Sequence, residues 1–167
     1  MNYKNDYEEL NKHLDNLNVK LIEGGDNRHQ SVLNGAKCAK CDYVLVHDGA
    51  RPNINKDLIN RIKDGLQKTK SVSLGVPVKD TIKEYKDGIM KTIPRENLYY
   101  MQTPQGSYRL DLIKVLEQVK EEDSITDDLM AFEKYSNIKP LIVFGDDKNI
   151  KVTTLKDYEY LKYIMEK

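Results

Sequence analysis

Tyr43-Val44-Leu45-Val46 is an uninterrupted apolar run of strand length, and His47-Asp48-Gly49-Ala50-Arg51-Pro52 follows it without a spacer. A strand that is apolar on both faces must be covered on both, which is the situation of a parallel strand between layers of helices. In an open α/β sheet the ligand site lies at the carboxyl ends of the strands. The polar cluster after Val46 is therefore the first place to look for chemistry.

The surrounding pattern supports such a sheet. Residues 55 to 68 place Leu58, Ile59, Ile62 and Leu66 on one helical face. Val72-Ser73-Leu74-Gly75-Val76-Pro77-Val78 reads as the next strand, Leu141 to Phe144 as another, and Val19 to Ile22 and Ile150 to Val152 as short ones. Helices are expected over 6 to 18, 31 to 40 (capped by Ser31), 109 to 121, from about 125 through Tyr135, and 155 to 166. Strands alternating with helices of this length predict an α/β fold with a mainly parallel sheet. Residues 79 to 97 differ. Two strand-like segments flank Lys86-Asp87-Gly88, the Asp-Gly signature of a tight hairpin. With little apolar surface of its own, this arm needs a partner.

Composition narrows the function. Lys plus Arg number 27 and Asp plus Glu number 27, so no net charge draws the chain to nucleic acid or to a membrane surface. No apolar run is long enough to span a bilayer, and the polar start lacks a signal-peptide core, so a cytoplasmic protein without membrane or nucleic-acid partners is expected. Trp is absent and Phe occurs twice against 11 Tyr, so the core is expected to rest on Ile, Leu, Val and Tyr. Cys38 and Cys41 form one CxxC; with no second pair and no His at ligand spacing, they are expected to be small buried residues at a helix end.

At the end of the first strand, Asp48 is placed to hold a hard cation such as Mg²⁺. Arg51 can grip a phosphate bidentately. Gly49 and Ala50 allow a ligand close to the backbone. The same residues also suit a helix-capping Asp and a structural Arg salt bridge, and local pattern alone leaves both readings open. Gly24-Gly25, Arg28 and Ser31 form a second cluster, a turn before a helix N-terminus where backbone amides and an Arg suit an anion. His47 is read as a structural residue rather than a catalytic one, and Asp127 and Asp128 as favouring a helix start.

Taken in order, these segments resemble the methylerythritol phosphate cytidylyltransferase family. The motifs are Gly24-Gly25 with Arg28 and Ser31-Val32-Leu33-Asn34-Gly35, then Val44 to Pro52, then Pro77-Val78-Lys79-Asp80-Thr81-Ile82-Lys83. Gln102-Thr103-Pro104-Gln105, Thr126-Asp127-Asp128 and Asn149-Ile150-Lys151-Val152-Thr153 complete the set. The resemblance implies a Rossmann-like nucleotidyltransferase fold that moves CMP from CTP to a sugar-alcohol phosphate, 2-C-methyl-D-erythritol 4-phosphate, with Mg²⁺. It implies Gly24, Gly25, Arg28, Ser31, Asp48 and Gly49 for the nucleotide. It implies Ala50, Arg51, Thr81, Arg95, Thr103, Thr126 and Lys151 for the sugar phosphate. Asp48, Lys151 and Arg95 would act in catalysis, and Asp48 would hold the metal. The arm at 79 to 97 would reach across a homodimer, so that Thr81 and Arg95 serve the partner.

The family begins with a strand and a Gly-rich loop, and no such loop precedes Gly24. The resemblance therefore implies a single incomplete domain over residues 1 to 167, lacking its first strand, with activity expected to suffer. Two alternatives follow: a ribitol 5-phosphate cytidylyltransferase, whose motifs are similar, and an inactive nucleotide- or partner-binding fragment.

Overall fold

The computed structural model describes residue 14 and residues 17–166, so the helix expected over 6 to 18 falls almost wholly outside the described residues. Among the described residues the order is α1 (Arg28–Cys38), β1 (Tyr43–Val46), α2 (Lys56–Leu66), β2 (Ser71–Pro77), β3 (Ile82–Lys86), β4 (Ile89–Ile93) and β5 (Tyr99–Tyr108). There follow α3 (Arg109–Leu116), α4 (Asp128–Tyr135), β6 (Leu141–Phe144) and α5 (Leu155–Met165).

The main sheet has strand order β1-β5-β2-β6. β2 and β6 are parallel, and both β1 and β2 pair antiparallel to β5. β1, β2 and β6 thus all point one way, but β5 runs against them between β1 and β2, so only the β2–β6 ladder is parallel and the expected mainly parallel sheet is mixed. The sequence pattern did not reveal β5. Its middle is Gln102-Thr103-Pro104-Gln105, polar and broken by a proline, and the ladder accommodates Pro104 through a register shift: Ser73 faces Gln105 but Gly75 faces Met101.

Both faces of the sheet are covered. On one, Leu33 and Ala36 of α1, Leu112, Val115 and Leu116 of α3, and Ala131 and Phe132 of α4 pack against Val44 and Val46. On the other, Leu58, Ile62 and Leu66 of α2 pack on Val72, Leu74 and Leu45. β1 therefore sends alternate side chains to opposite layers, which explains its unbroken apolar run. The core rests on Leu, Ile, Val and Ala with Phe132 fully buried; the described tyrosines stay at or near the surface, contrary to expectation. A tyrosine hydroxyl needs a partner when buried, and a surface position supplies water instead.

Four local expectations are corrected. Asn27, not Ser31, caps α1, its side chain accepting the Gln30 N–H. Ser31 instead accepts the Gly25 N–H at 2.9 Å and donates to the Asn27 carbonyl, tying the Gly24-Gly25 turn to the helix. Residues 19–22 and 150–152 are irregular rather than strands, the latter joined to the sheet loop by one bond from Val152 N–H to the Ala50 carbonyl. Cys38 and Cys41 are exposed, because α1 ends at Cys38 and the chain turns outward there.

The arm forms as expected. β3 and β4 pair only with each other among the described residues, and the turn puts Asp87 at φ 51° and Gly88 at φ 78°. Two positive φ values in succession match the twist of a two-residue hairpin. Tyr85, Ile89 and Met90 near its tip are exposed.

Candidate active site

A polar cleft of about 340 Å³ opens at the carboxyl end of β1, bordered by Arg28, Asp48, Arg51, Thr103, Thr126, Asp127 and Lys151, with β5 residues as its floor. Six of the residues singled out from sequence meet here: Arg28, Asp48, Arg51, Thr103, Thr126 and Lys151. Gly24, Gly25, Ser31, Gly49 and Ala50 do not line the cleft. The first three build the α1 N-terminus that presents Arg28. Gly49 and Ala50 form the loop beneath Asp48, where a Cβ on Gly49 would meet nothing. Thr81 and Arg95 lie at the arm, where Arg95 donates to the Lys79 carbonyl.

Asp48 is the electrostatic centre. Its carboxylate stands 3.1 Å from the Lys151 ammonium and 3.5 Å from Arg51 Nε. Burial alone would raise its pKa, but Lys151, Arg51 and Arg28 outweigh burial and hold it below the ordinary value of 3.8. The Asp48 N–H donates to Thr103 Oγ1 at 3.0 Å. The same oxygen lies 3.0 Å from His47 Nδ1, and His47 Nε2 lies 2.9 Å from the Arg51 carbonyl. A carbonyl only accepts, so Nε2 carries the proton, Nδ1 of the neutral ring accepts from the Thr103 hydroxyl, and that hydroxyl accepts from Asp48. His47 is thus a structural link between the β1 end, β5 and the Arg51 loop.

Arg51 spends two donors on main chain, Nη1 on the Asn149 carbonyl at 2.7 Å and Nη2 on the Met101 carbonyl at 3.4 Å. Its buried Nε has no hydrogen-bond partner and faces Asp48 at 3.5 Å, so the Arg51 charge is directed at that carboxylate.

The opposite wall depends on a residue that the sequence reading passed over. Gln105 donates to Asp127 Oδ2 at 3.1 Å and accepts the Asp128 N–H at 3.0 Å. Asp127 caps α4 by accepting the Met130 N–H. Its neighbour Asp128, 2% exposed, takes Arg28 bidentately at 2.8 and 3.4 Å. Burial dominates at Asp128 and lifts its carboxyl above the ordinary range despite Arg28. Burial works against the Arg28 charge too, but Asp128, Asp48 and Asp127 more than offset it, and its pKa rises. Gln105 was not singled out because its partners lie 22 and 23 residues away.

The cleft therefore sets three cations, Arg28, Arg51 and Lys151, beside the carboxylates of Asp48 and Asp127, an arrangement for holding phosphates rather than for acyl transfer. No group of three or more His, Cys, Asp or Glu that could hold a metal occurs among the described residues. Asp48 fits a hard cation held by one carboxylate and by ligand phosphates, which is how Mg²⁺ is commonly bound.

Comparison with known proteins agrees with this geometry. The family model for IspD, 2-C-methyl-D-erythritol 4-phosphate cytidylyltransferase, matches residues 1–167. The chain is similar to the protein of that name from Bacillus pumilus, 39% identical over 168 residues, covering 98% of this chain and 73% of the relative. A Geobacter metallireducens protein of the same name is 36% identical, covering 82% of this chain and 62% of the relative. Among solved structures, 4-diphosphocytidyl-2C-methyl-D-erythritol synthase from Anaerococcus prevotii superposes with a TM-score of 0.90 at 28% identity, covering 98% of this chain and 78% of that one. The chain thus spans roughly two thirds of the length of its curated relatives. With this sheet, a cleft that gathers six of the motif residues and a family match along its whole length, the chain belongs to the 2-C-methyl-D-erythritol 4-phosphate cytidylyltransferase family.

Proposed function

We propose that this chain binds CTP and 2-C-methyl-D-erythritol 4-phosphate and transfers CMP between them. A phosphate oxygen of the sugar phosphate attacks the α-phosphorus of CTP. The bond from that phosphorus to the bridging oxygen breaks, and pyrophosphate leaves with the electron pair. The gathering of Arg28, Arg51 and Lys151 in one cleft, the last two on Asp48, carries this reading. Such a transfer needs in-line positioning and neutralisation of phosphate charge more than covalent help. Lys151 and Arg51 hold the reacting phosphates, Thr103 and Thr126 offer hydroxyls beside them, and Arg28 faces the nucleotide from the α1 side. Asp48 would hold Mg²⁺, whose charge offsets that of the triphosphate.

The arm completes the proposal. A two-stranded hairpin with exposed Tyr85, Ile89 and Met90 gains stability by gripping a second copy of the chain, and Thr81 and Arg95 then reach that copy's cleft. Both substrates are multiply charged metabolites, so the reaction is placed in the cytoplasm. No helix among the described residues is long and apolar enough to cross a membrane.

The test is pyrophosphate release by the purified chain with CTP and Mg²⁺, offering methylerythritol 4-phosphate or ribitol 5-phosphate. Release with the first alone is expected. Release with ribitol 5-phosphate alone would reassign the substrate. CTP binding by calorimetry without release from either would make the chain a nucleotide-binding fragment.

A further inference from the structure

Gln102 and Asn149 are buried polar side chains that make no contribution to the reading above. Gln102 lies in the middle of β5 at 6% exposure, and Asn149 is fully buried. Gln102 uses both ends of its amide. Nε2 donates to the Asp146 carbonyl at 2.8 Å and the Asn149 carbonyl at 3.3 Å. Oε1 accepts the Asp146 N–H at 3.2 Å and Asn149 Nδ2 at 3.4 Å. Asn149 Nδ2 also donates to the Thr103 carbonyl at 2.9 Å, and the Asn149 carbonyl accepts from Arg51. The Gln102 amide thus does for the 146–149 segment what a neighbouring strand would do, in a stretch with no helix or strand of its own.

Two further observations give this lock a direction. Lys151 sits between the anchor at Asn149 and the anchor at Val152, whose N–H donates to the Ala50 carbonyl at 2.8 Å. Its own side chain is half exposed and is held at Asp48 by one contact. A long, rotamer-rich side chain keeps such a position only where its backbone is fixed. Gly145 is the second observation: a Cβ built there would overlap Gln102 Oε1. Any side chain at 145 and the bonded Gln102 amide exclude each other.

The geometry points to Gln102 as a positioning residue for Lys151 and Arg51, acting through Asn149 and permitted by Gly145. The inference rests on the proposed transfer for its kinetic consequence but not for its structural one. Gln102 borders the floor of the cleft, but its amide is spent on the 146–149 segment, and there it sets where the two cations stand. A displacement of about 1 Å in such groups costs on the order of 10²-fold in rate.

The experiment compares the wild-type chain with Gln102→Met, Gly145→Ala, Gln102→Ala and the double variant Gln102→Ala/Gly145→Ala. In Gln102→Met, acetylation of Lys151 by an amine-directed reagent, read by mass spectrometry, is expected to speed up several-fold, while that of the distant Lys63 stays unchanged. Amide exchange at Asp146, Asn149 and Val152 is expected to accelerate while Val72 and Leu74 keep their protection. In pyrophosphate release, kcat is expected to fall by about 10²-fold with KM for CTP nearly constant. Gly145→Ala is expected to lower the thermal midpoint strongly in the wild-type background and much less in Gln102→Ala, where only Val76 Cγ1 at 3.3 Å stays close. Unchanged Lys151 reactivity in Gln102→Met, or an equal cost of Gly145→Ala in both backgrounds, would overturn the inference. So would a rise in KM with kcat intact. A wild-type chain that released no pyrophosphate would refute the proposed function, and the acetylation, exchange and midpoint results would still decide the lock.

Discussion

Lys151 and Asp48, 103 residues apart in sequence, meet at 3.1 Å across the mouth of the cleft. The carboxylate stands between Lys151 and Arg51, so Asp48→Asn leaves those two cations with no ionised partner between them, while Arg28 keeps Asp128. We expect this variant to lose about 10²-fold or more in pyrophosphate release while keeping its far-ultraviolet dichroism. Turnover at the wild-type rate would remove Asp48 from the mechanism.

Thr103 holds Asp48 from beneath. Thr103→Val keeps the shape and removes the hydroxyl that accepts the Asp48 N–H and donates to His47. A half-buried network left unpaired costs about 1–3 kcal/mol, whereas Thr103→Ser should cost well under half of that. Chemical denaturation measures both, and equal losses in the two variants would contradict the network.

Arg28→Ala strands Asp128 in the protein interior. Breaking a buried pair costs about 3–5 kcal/mol, and the partial exposure of Arg28 reduces the expectation to about 2 kcal/mol. Adding Asp128→Asn removes the stranded carboxylate and should recover part of the loss. A double variant no more stable than Arg28→Ala would show that the ion pair is not the cause.

Acid should loosen the last helix. Asp157 Oδ2 accepts from Thr153 N–H, the Thr153 hydroxyl and Thr154 N–H, and these bonds lower its pKa to about 2 from 3.8. A depressed folded pKa contributes stability above 3.8 that disappears as pH falls towards 2. Asp157→Asn should therefore flatten the dependence of the thermal midpoint on pH in that window. Asp48 retains a contribution of the same sign, so a residual slope is expected. A wild-type slope in the variant would refute the assignment.

The arm gives an assembly prediction. Replacing Tyr85, Ile89 and Met90 together by Ser should convert a sedimenting dimer into a monomer with the sheet intact, since none of the three belongs to the core. A wild-type chain that is monomeric at micromolar concentration would count against arm exchange.

The sequence was most legible where structure is local. β1 shows because Val44, Leu45 and Val46 each meet an apolar layer. The arm shows because Asp87-Gly88 supplies its turn chemistry within two residues. β5 was opaque for the opposite reason. Gln102, Thr103 and Gln105 are buried polar residues whose partners come from distant segments, so their stretch has neither the apolar content nor the alternation of a strand. At the site, charged residues in compact motifs were recognisable, and they are the ones that line the cleft. The neutral amides that hold them, Gln102, Gln105 and Asn149, stand inside quoted motifs but carry no charge that marks a role, and their geometry supplies it.

The hairpin is rooted in the two central strands. Pro77 at the end of β2 faces Tyr99 at the start of β5, and the Val78 N–H bonds to the Leu98 carbonyl just beyond. β5 then continues without a break from that root through the floor of the cleft. The hairpin is therefore a cantilever welded to the girder that carries the site: a torque on its tip must either bend the hairpin itself or shear the β2–β5 ladder from Tyr99 to Met101, next to Gln102 and Thr103, and a probe fixed at the tip would register strain in the floor rather than free swivelling.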